Sequence, residues 1–146
     1  MRQKRRATES GSALIEFALS ATGLLMLGLG AVSFGLAVRN SEVVADAACA
    51  GASYGANSTY NAANTATIQQ IAVNSDRTVP NLTATATYWC TCSAGGSVVS
   101  CSSACGNDQP MYYVQVIASA IYPNFFHYGG LPANFTLQSI CTMPVN

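Results

Sequence analysis

The 146 residues carry six basic and six acidic side chains, so the net charge is zero and only 8% of positions are charged. That length holds one modest domain with an anchor. Four of the six basic residues fall in the first eleven positions, so no later basic patch remains to hold nucleic acid.

Residues 1–11 hold Arg2, Lys4, Arg5 and Arg6 against Glu9, a net +3. The rest holds Arg39 and Arg77 against Glu16, Glu42, Asp46, Asp76 and Asp108, a net −3. A basic head before an apolar stretch stays in the cytoplasm and sends the C-terminal part of the chain across the membrane. The stretch itself runs from Gly11 to Val38, with one acidic residue, Glu16, near its start. From Phe17 to Val38 no residue is charged. As a helix those residues span ~33 Å, enough to cross a hydrocarbon core of ~30 Å. The run is too long for the roughly 7–15-residue core of a cleaved secretory signal. The small residues after it, Ala45 to Ala48, read as continuing helix. The expected division is a basic leader over 1–11, a transmembrane helix over 12–38 and an extracytoplasmic domain over 39–146. Gly23, Gly28, Gly30 and Gly35 interrupt the apolar run, and in lipid such residues let helices approach closely.

Gly11 is followed by Ser12-Ala13-Leu14-Ile15-Glu16-Phe17. A basic leader, a Gly, and a Glu five residues on at the mouth of an apolar helix resemble the type IV prepilin signal. The Glu-Phe-Ala-Leu version resembles the TadE-like family, minor pilin-like (pseudopilin) subunits of tight-adherence (Tad) pilus systems. The resemblance implies that a prepilin peptidase cuts between Gly11 and Ser12. It assigns Glu16 and Phe17 to membrane seating and assembly. A carboxylate near the membrane boundary is costly and needs a partner. Pilins offer one, the freed amine of Ser12 on an adjacent subunit. The resemblance further implies a bacterial inner-membrane location with one span, a cytoplasmic N-terminus and a periplasmic or extracellular C-terminal domain. Its implied partners are inner-membrane lipid, other Tad minor subunits and the major Flp pilin, and its implied roles are adhesion, secretion and biofilm. Two departures stand out. Many relatives carry a Pro where this chain has Ser20-Ala21-Thr22-Gly23, and Ser12 replaces the Phe of methylated pilins.

Beyond the membrane, Val43, Val44, Ala47, Ala48, Gly51 and Tyr54 recur at spacings of three and four, which extends the helix to about residue 57. A second helix is expected over about 62–74, then a turn ending near Asn81. Leu82 to Cys92 alternates as a strand with one buried side: Leu82, Ala84, Ala86, Tyr88, Cys90 and Cys92 on one face. A short extended piece falls at 97–101. Met111 to Tyr122 is a second strand rich in Tyr, Val and Ile. After the loop PNFFHYGGLP, Phe135 to Met143 alternates again. The expected fold is α+β and pilin-like: a long N-terminal helix packed on a small antiparallel sheet of three or four strands, joined as a meander.

Six cysteines outside the membrane read as disulfides, with fifteen pairings possible. A hairpin folding back suggests the nested pairs Cys90–Cys105 and Cys92–Cys101, leaving Cys49 to meet Cys141. The C-x-C and C-x3-C spacings do not match structural zinc sites, and no metal or other cofactor is expected. His127 is the one histidine, so no Ser-His-acid set can be assembled and no enzyme is expected. A second reading is a membrane-tethered binding module. Its surface would be Phe125, Phe126, His127 and Tyr128 with Tyr112 and Tyr113.

Overall fold

The computed structural model describes residues 3–79, 81–106, 109–123 and 134–146. They form helices α1 (Gln3–Ala56), α2 (Thr59–Ala63) and α3 (Thr65–Asn74) and strands β1 (Thr83–Thr91), β2 (Val98–Val99), β3 (Met111–Pro123) and β4 (Asn134–Pro144). Two compact units divide the chain, 1–37 and 38–146.

In the first unit, α1 presents its bulky side chains outward: Leu14, Phe17, Leu27 and Phe34 are about seven-tenths exposed. The hydroxyls of Thr22 and Ser33 donate to the carbonyls of Ala18 and Leu29, one turn back, at 2.8 and 2.9 Å. Both polar groups are thereby satisfied within the apolar helix.

In the second unit, the upper part of α1 packs against the sheet with small side chains. Val44, Ala47, Ala48 and Ala52 are buried together with Ala62 of α2, Ile68 and Ala72 of α3, and Val114, Val116, Ala118 and Ala120 of β3. Alternation in β3 sends the even positions to this core and leaves the odd ones on the opposite face. The helix comes very close. A Cβ on Gly55 would lie 2.9 Å from Ile68 Cδ1 and from Val114 Cγ1, so no side chain fits there without displacement.

The strands run in the order β2-β1-β3-β4, every pair antiparallel. This corrects the meander. After β1 the chain forms the two-residue edge strand β2, then returns on the far side of β1 as β3. With β1 on one flank and β4 on the other, the longest strand takes an inner place, which suits its run of Val and Ala in the core. The alternation expected of β1 holds at Leu82, Ala86 and Cys90, but Tyr88 is 43% exposed.

The helix expected over 62–74 is two helices. Ser58 caps α2, its Oγ accepting from the Asn61 N–H at 3.2 Å, and Asn64 caps α3, its Oδ1 accepting from the Thr67 N–H at 3.3 Å. Asn competes well for such donors, and here it ends one helix and starts the next. Asn81 has φ 57°, a left-handed conformation that Asn tolerates, at the entry to β1. At the other end, Asn146 N–H donates to the Ala56 carbonyl at 3.0 Å, satisfying an orphan acceptor at the last turn of α1.

Candidate functional site

The signal residues Gly11, Ser12, Glu16 and Phe17 all lie on α1, and all are exposed. The helix runs unbroken from Gln3 to Ala56, so the Gly11–Ser12 peptide bond is helical. A Gly inside a helix weakens it by about 1 kcal/mol relative to Ala, so Gly11 is a soft point in an otherwise regular run. Its Cβ position meets nothing within 4 Å. Glu16 lies one turn beyond Ser12, about 6 Å along the axis.

Phe17, Ser20, Ala21, Leu24, Leu25, Gly28 and Leu29 line a shallow apolar groove on one face of α1. Their spacing of three and four keeps them on that face. Ser20, Ala21 and Gly28 are its small members, and Phe17, Leu24, Leu25 and Leu29 its bulky ones. Among the described residues, α1 is the one helix long and apolar enough to cross a membrane.

All six cysteines are bonded. Cys49 of α1 joins Cys141 of β4, as expected, with Cα atoms 5.1 Å apart. The nested pairs are corrected: Cys90 joins Cys101 and Cys92 joins Cys105. The reason lies in the loop. β2 faces β1 with Cys90 opposite Val99, which leaves Cys101 two residues past that partner. A turn then closes at once, with Ser103 N–H donating to the Ser100 carbonyl at 2.9 Å. Cys92 falls opposite Ser97 in this register, four residues short of Cys101, so Cys101 is nearer Cys90; the turn then lets the chain come back, and Cys105 reaches Cys92.

The aromatic loop residues Phe125, Phe126, His127 and Tyr128, and also Asp108, lie outside the described residues. The two tyrosines grouped with that loop do not share a surface. Tyr112 is on the core side, where its hydroxyl donates to the Cys101 carbonyl at 3.2 Å. Tyr113 is on the opposite face, where its ring stacks on that of Trp89 at 6.0 Å between centroids. Adjacent strand residues point to opposite faces, and that alone separates them. Sequence reasoning missed the Trp89–Tyr113 pair because it depends on the β1–β3 register, in which these residues are directly opposed.

The architecture is that of an α+β domain carried on a helix long enough to span a membrane. Residues 11–53 match the family model of the TadE-like protein. The match begins at Gly11 and takes in Glu16, Phe17 and Cys49. No curated protein and no solved structure matches the chain.

Proposed function

We propose that this chain is a minor pilin-like subunit that helps to build, prime or cap a Tad-type pilus. In this reading residues 1–11 are a cytoplasmic leader, α1 is held in the bacterial inner membrane by residues 12–38, and the domain over 39–146 lies on the far side. A prepilin peptidase removes the leader between Gly11 and Ser12. The freed Ser12 amine of one subunit then neutralises Glu16 of the next. The groove headed by Phe17 receives a helix of another Tad minor subunit or of the major Flp pilin. The role is structural, without catalysis.

One observation carries the proposal. A single carboxylate, Glu16, stands at the mouth of an uncharged helical stretch whose large side chains are all exposed. Lipid or neighbouring helices cover such a surface, and a charge from another subunit would offset the acid where the headgroups do not. The TadE-like match, beginning at the residue before the proposed cut, supports the same reading.

The test is N-terminal sequencing of the full chain made with a prepilin peptidase. The expected terminus is Ser12, reverting to Met1 in Gly11→Leu. Glu16→Ala should still be cut but should fall at least about tenfold in cross-linking to sister subunits, the equivalent of ~1.4 kcal/mol. A chain that keeps Met1 beside an active peptidase removes the pilin reading and leaves a tethered domain.

A further inference from the structure

The sheet face turned away from α1 has a composition of its own. None of the four strands contains a charged residue. On this face the β1–β3 register sets Trp89 opposite Tyr113, and the next row toward the middle of the sheet holds Thr87, Gln115 and Thr142 side by side across three strands. The two rings are nearly parallel, at 16°, with centroids 6.0 Å apart. Parallel rings touch at about 3.5 Å, so a separation of this size includes a lateral slip of roughly 5 Å. Part of each ring face is therefore left uncovered by the other. In the polar row Gln115 Nε2 donates to Thr142 Oγ1 at 3.1 Å, which fixes the amide, and its carbonyl oxygen takes no hydrogen bond among the described residues.

Same-face rows in a sheet lie about 6.7 Å apart along the strand. That is close to the width of a pyranose ring with its hydroxyls. A sugar laid by its C–H face on the aromatic pair brings its hydroxyl edge over the Gln/Thr row. On the other side of the pair Thr91 is 3% exposed, and disulfides hold Cys101 and Cys105 to the residues flanking it. Among the described residues the face therefore continues from the aromatic pair toward the polar row.

We propose that Trp89 and Tyr113, with Gln115 beside them, form a binding site for a neutral glycan chain of pyranose units. The absence of charge on the strands selects the occupant. An acidic polysaccharide finds no cation on the strands, and a nucleic acid finds no phosphate partner on them. A neutral sugar needs what is present: a ring face for its apolar side, and amide and hydroxyl groups for its rim. The site is independent of the pilus reading, since it uses no residue of α1.

Trp89 is the single tryptophan of the chain, so its emission reports on this site alone. The experiment titrates cellohexaose into the full chain held in lauryldimethylamine oxide micelles, a detergent without a sugar head group. A saturable change in emission is expected, with a dissociation constant of about 1 mM or tighter. Tyr113→Ala should weaken binding roughly five- to tenfold and Gln115→Ala about two- to threefold, the three disulfides remaining intact by mass spectrometry. Having two variants keeps the test open if one fails to fold. An emission that does not saturate overturns the proposal, as does equal binding by both folded variants. So does equal binding of oligogalacturonate, which would show that charge is not discriminated. A shift that tracks protein concentration without any sugar would assign the face to a second copy of the chain and overturn it too.

Discussion

The two parts of α1 invert the usual relation between bulk and burial. From Leu14 to Phe34 the large apolar side chains are 50–73% exposed, whereas Val44, Ala47, Ala48 and Ala52 are 0–1% exposed. The more apolar part is the uncovered one. In water, so long an apolar surface would be an aggregation site; in lipid it is ordinary, because the tails solvate Leu and Phe as well as a protein core does. The upper part is small for a different reason. It is packed directly onto α3 and β3, and alanine and glycine let the backbones meet. Hydrophobicity tells which solvent a helix expects, and side-chain size tells how near its protein neighbour comes.

The largest effect that tests this contrast comes from the bond tying the buried part of α1 to the sheet. Cys49 and Cys141 are 92 residues apart in sequence, Cys90 and Cys101 only 11. By the chain-entropy relation, replacing the first pair with Ser should cost the domain about 4–5 kcal/mol, the second about 3 kcal/mol. Guanidinium unfolding of the full chain in micelles, monitored by Trp89 emission, gives both values. Residues 12–37 should keep their helical circular dichroism throughout. If that signal collapses with the domain, the two parts of α1 are not independent and the contrast fails.

A smaller effect separates the glycines. Gly55→Val forces a side chain against Ile68 and Val114 and should destabilise the domain by about 2 kcal/mol. Gly28→Val meets nothing within 4 Å and should leave the domain's unfolding midpoint where it is. Its effect should appear in cross-linking between chains, because Gly28 lines the apolar groove.

Much of this was legible in the sequence, and the parts that were not share a cause. The long apolar helix comes from an uncharged run, and its upper part and the three long strands from periodicity; both signals are local. Glu16 and Gly11 stand out because a charge and a helix breaker are conspicuous in an apolar run. The strand order, the disulfide partners of Cys90 and Cys92, and the Trp89–Tyr113 pair depend on register between distant segments. Register is set by the turn at Ser100–Ser103 and by β3 crossing to the far side of β1, and neither has a periodic signature. The split between α2 and α3 was nearer to hand: Asn64 two residues past Ala62 is a helix-capping type, and only its competition with the helical pattern hid it.

The third effect lies wholly within the domain and runs the other way. Thr91 is buried, and its hydroxyl is without a partner among the described residues. Thr91→Val keeps the shape and removes the unpaired oxygen, so it should stabilise the domain by about 1 kcal/mol in the same unfolding experiment. A loss of stability would mean that the hydroxyl bonds a group outside the described residues, and that this corner of the sheet is polar by design.

The smallest effect sits where charge returns to the chain after the uncharged stretch. Asp76, in the turn after α3, accepts from Thr78 N–H at 2.7 Å. Its carboxyl is held below the ordinary 3.8, first by the Thr78 side chain, then by that backbone bond, and last by the charge of Arg39 on α1. A lowered value means that the folded state favours the ionised form. The stability it contributes is therefore present above that ordinary value and is lost as pH falls through the lower, folded one. The group is fully exposed and the contribution is slight, so the titration itself is the better readout. Carboxyl NMR should show the Asp76 midpoint rising toward its ordinary value in Thr78→Ala, and rising less in Arg39→Ala. The reverse order would make the first cation beyond Val38 the main partner of Asp76. The start of the buried part of α1 would then be fixed to the turn by charge, in addition to the close packing that the alanines and glycines allow.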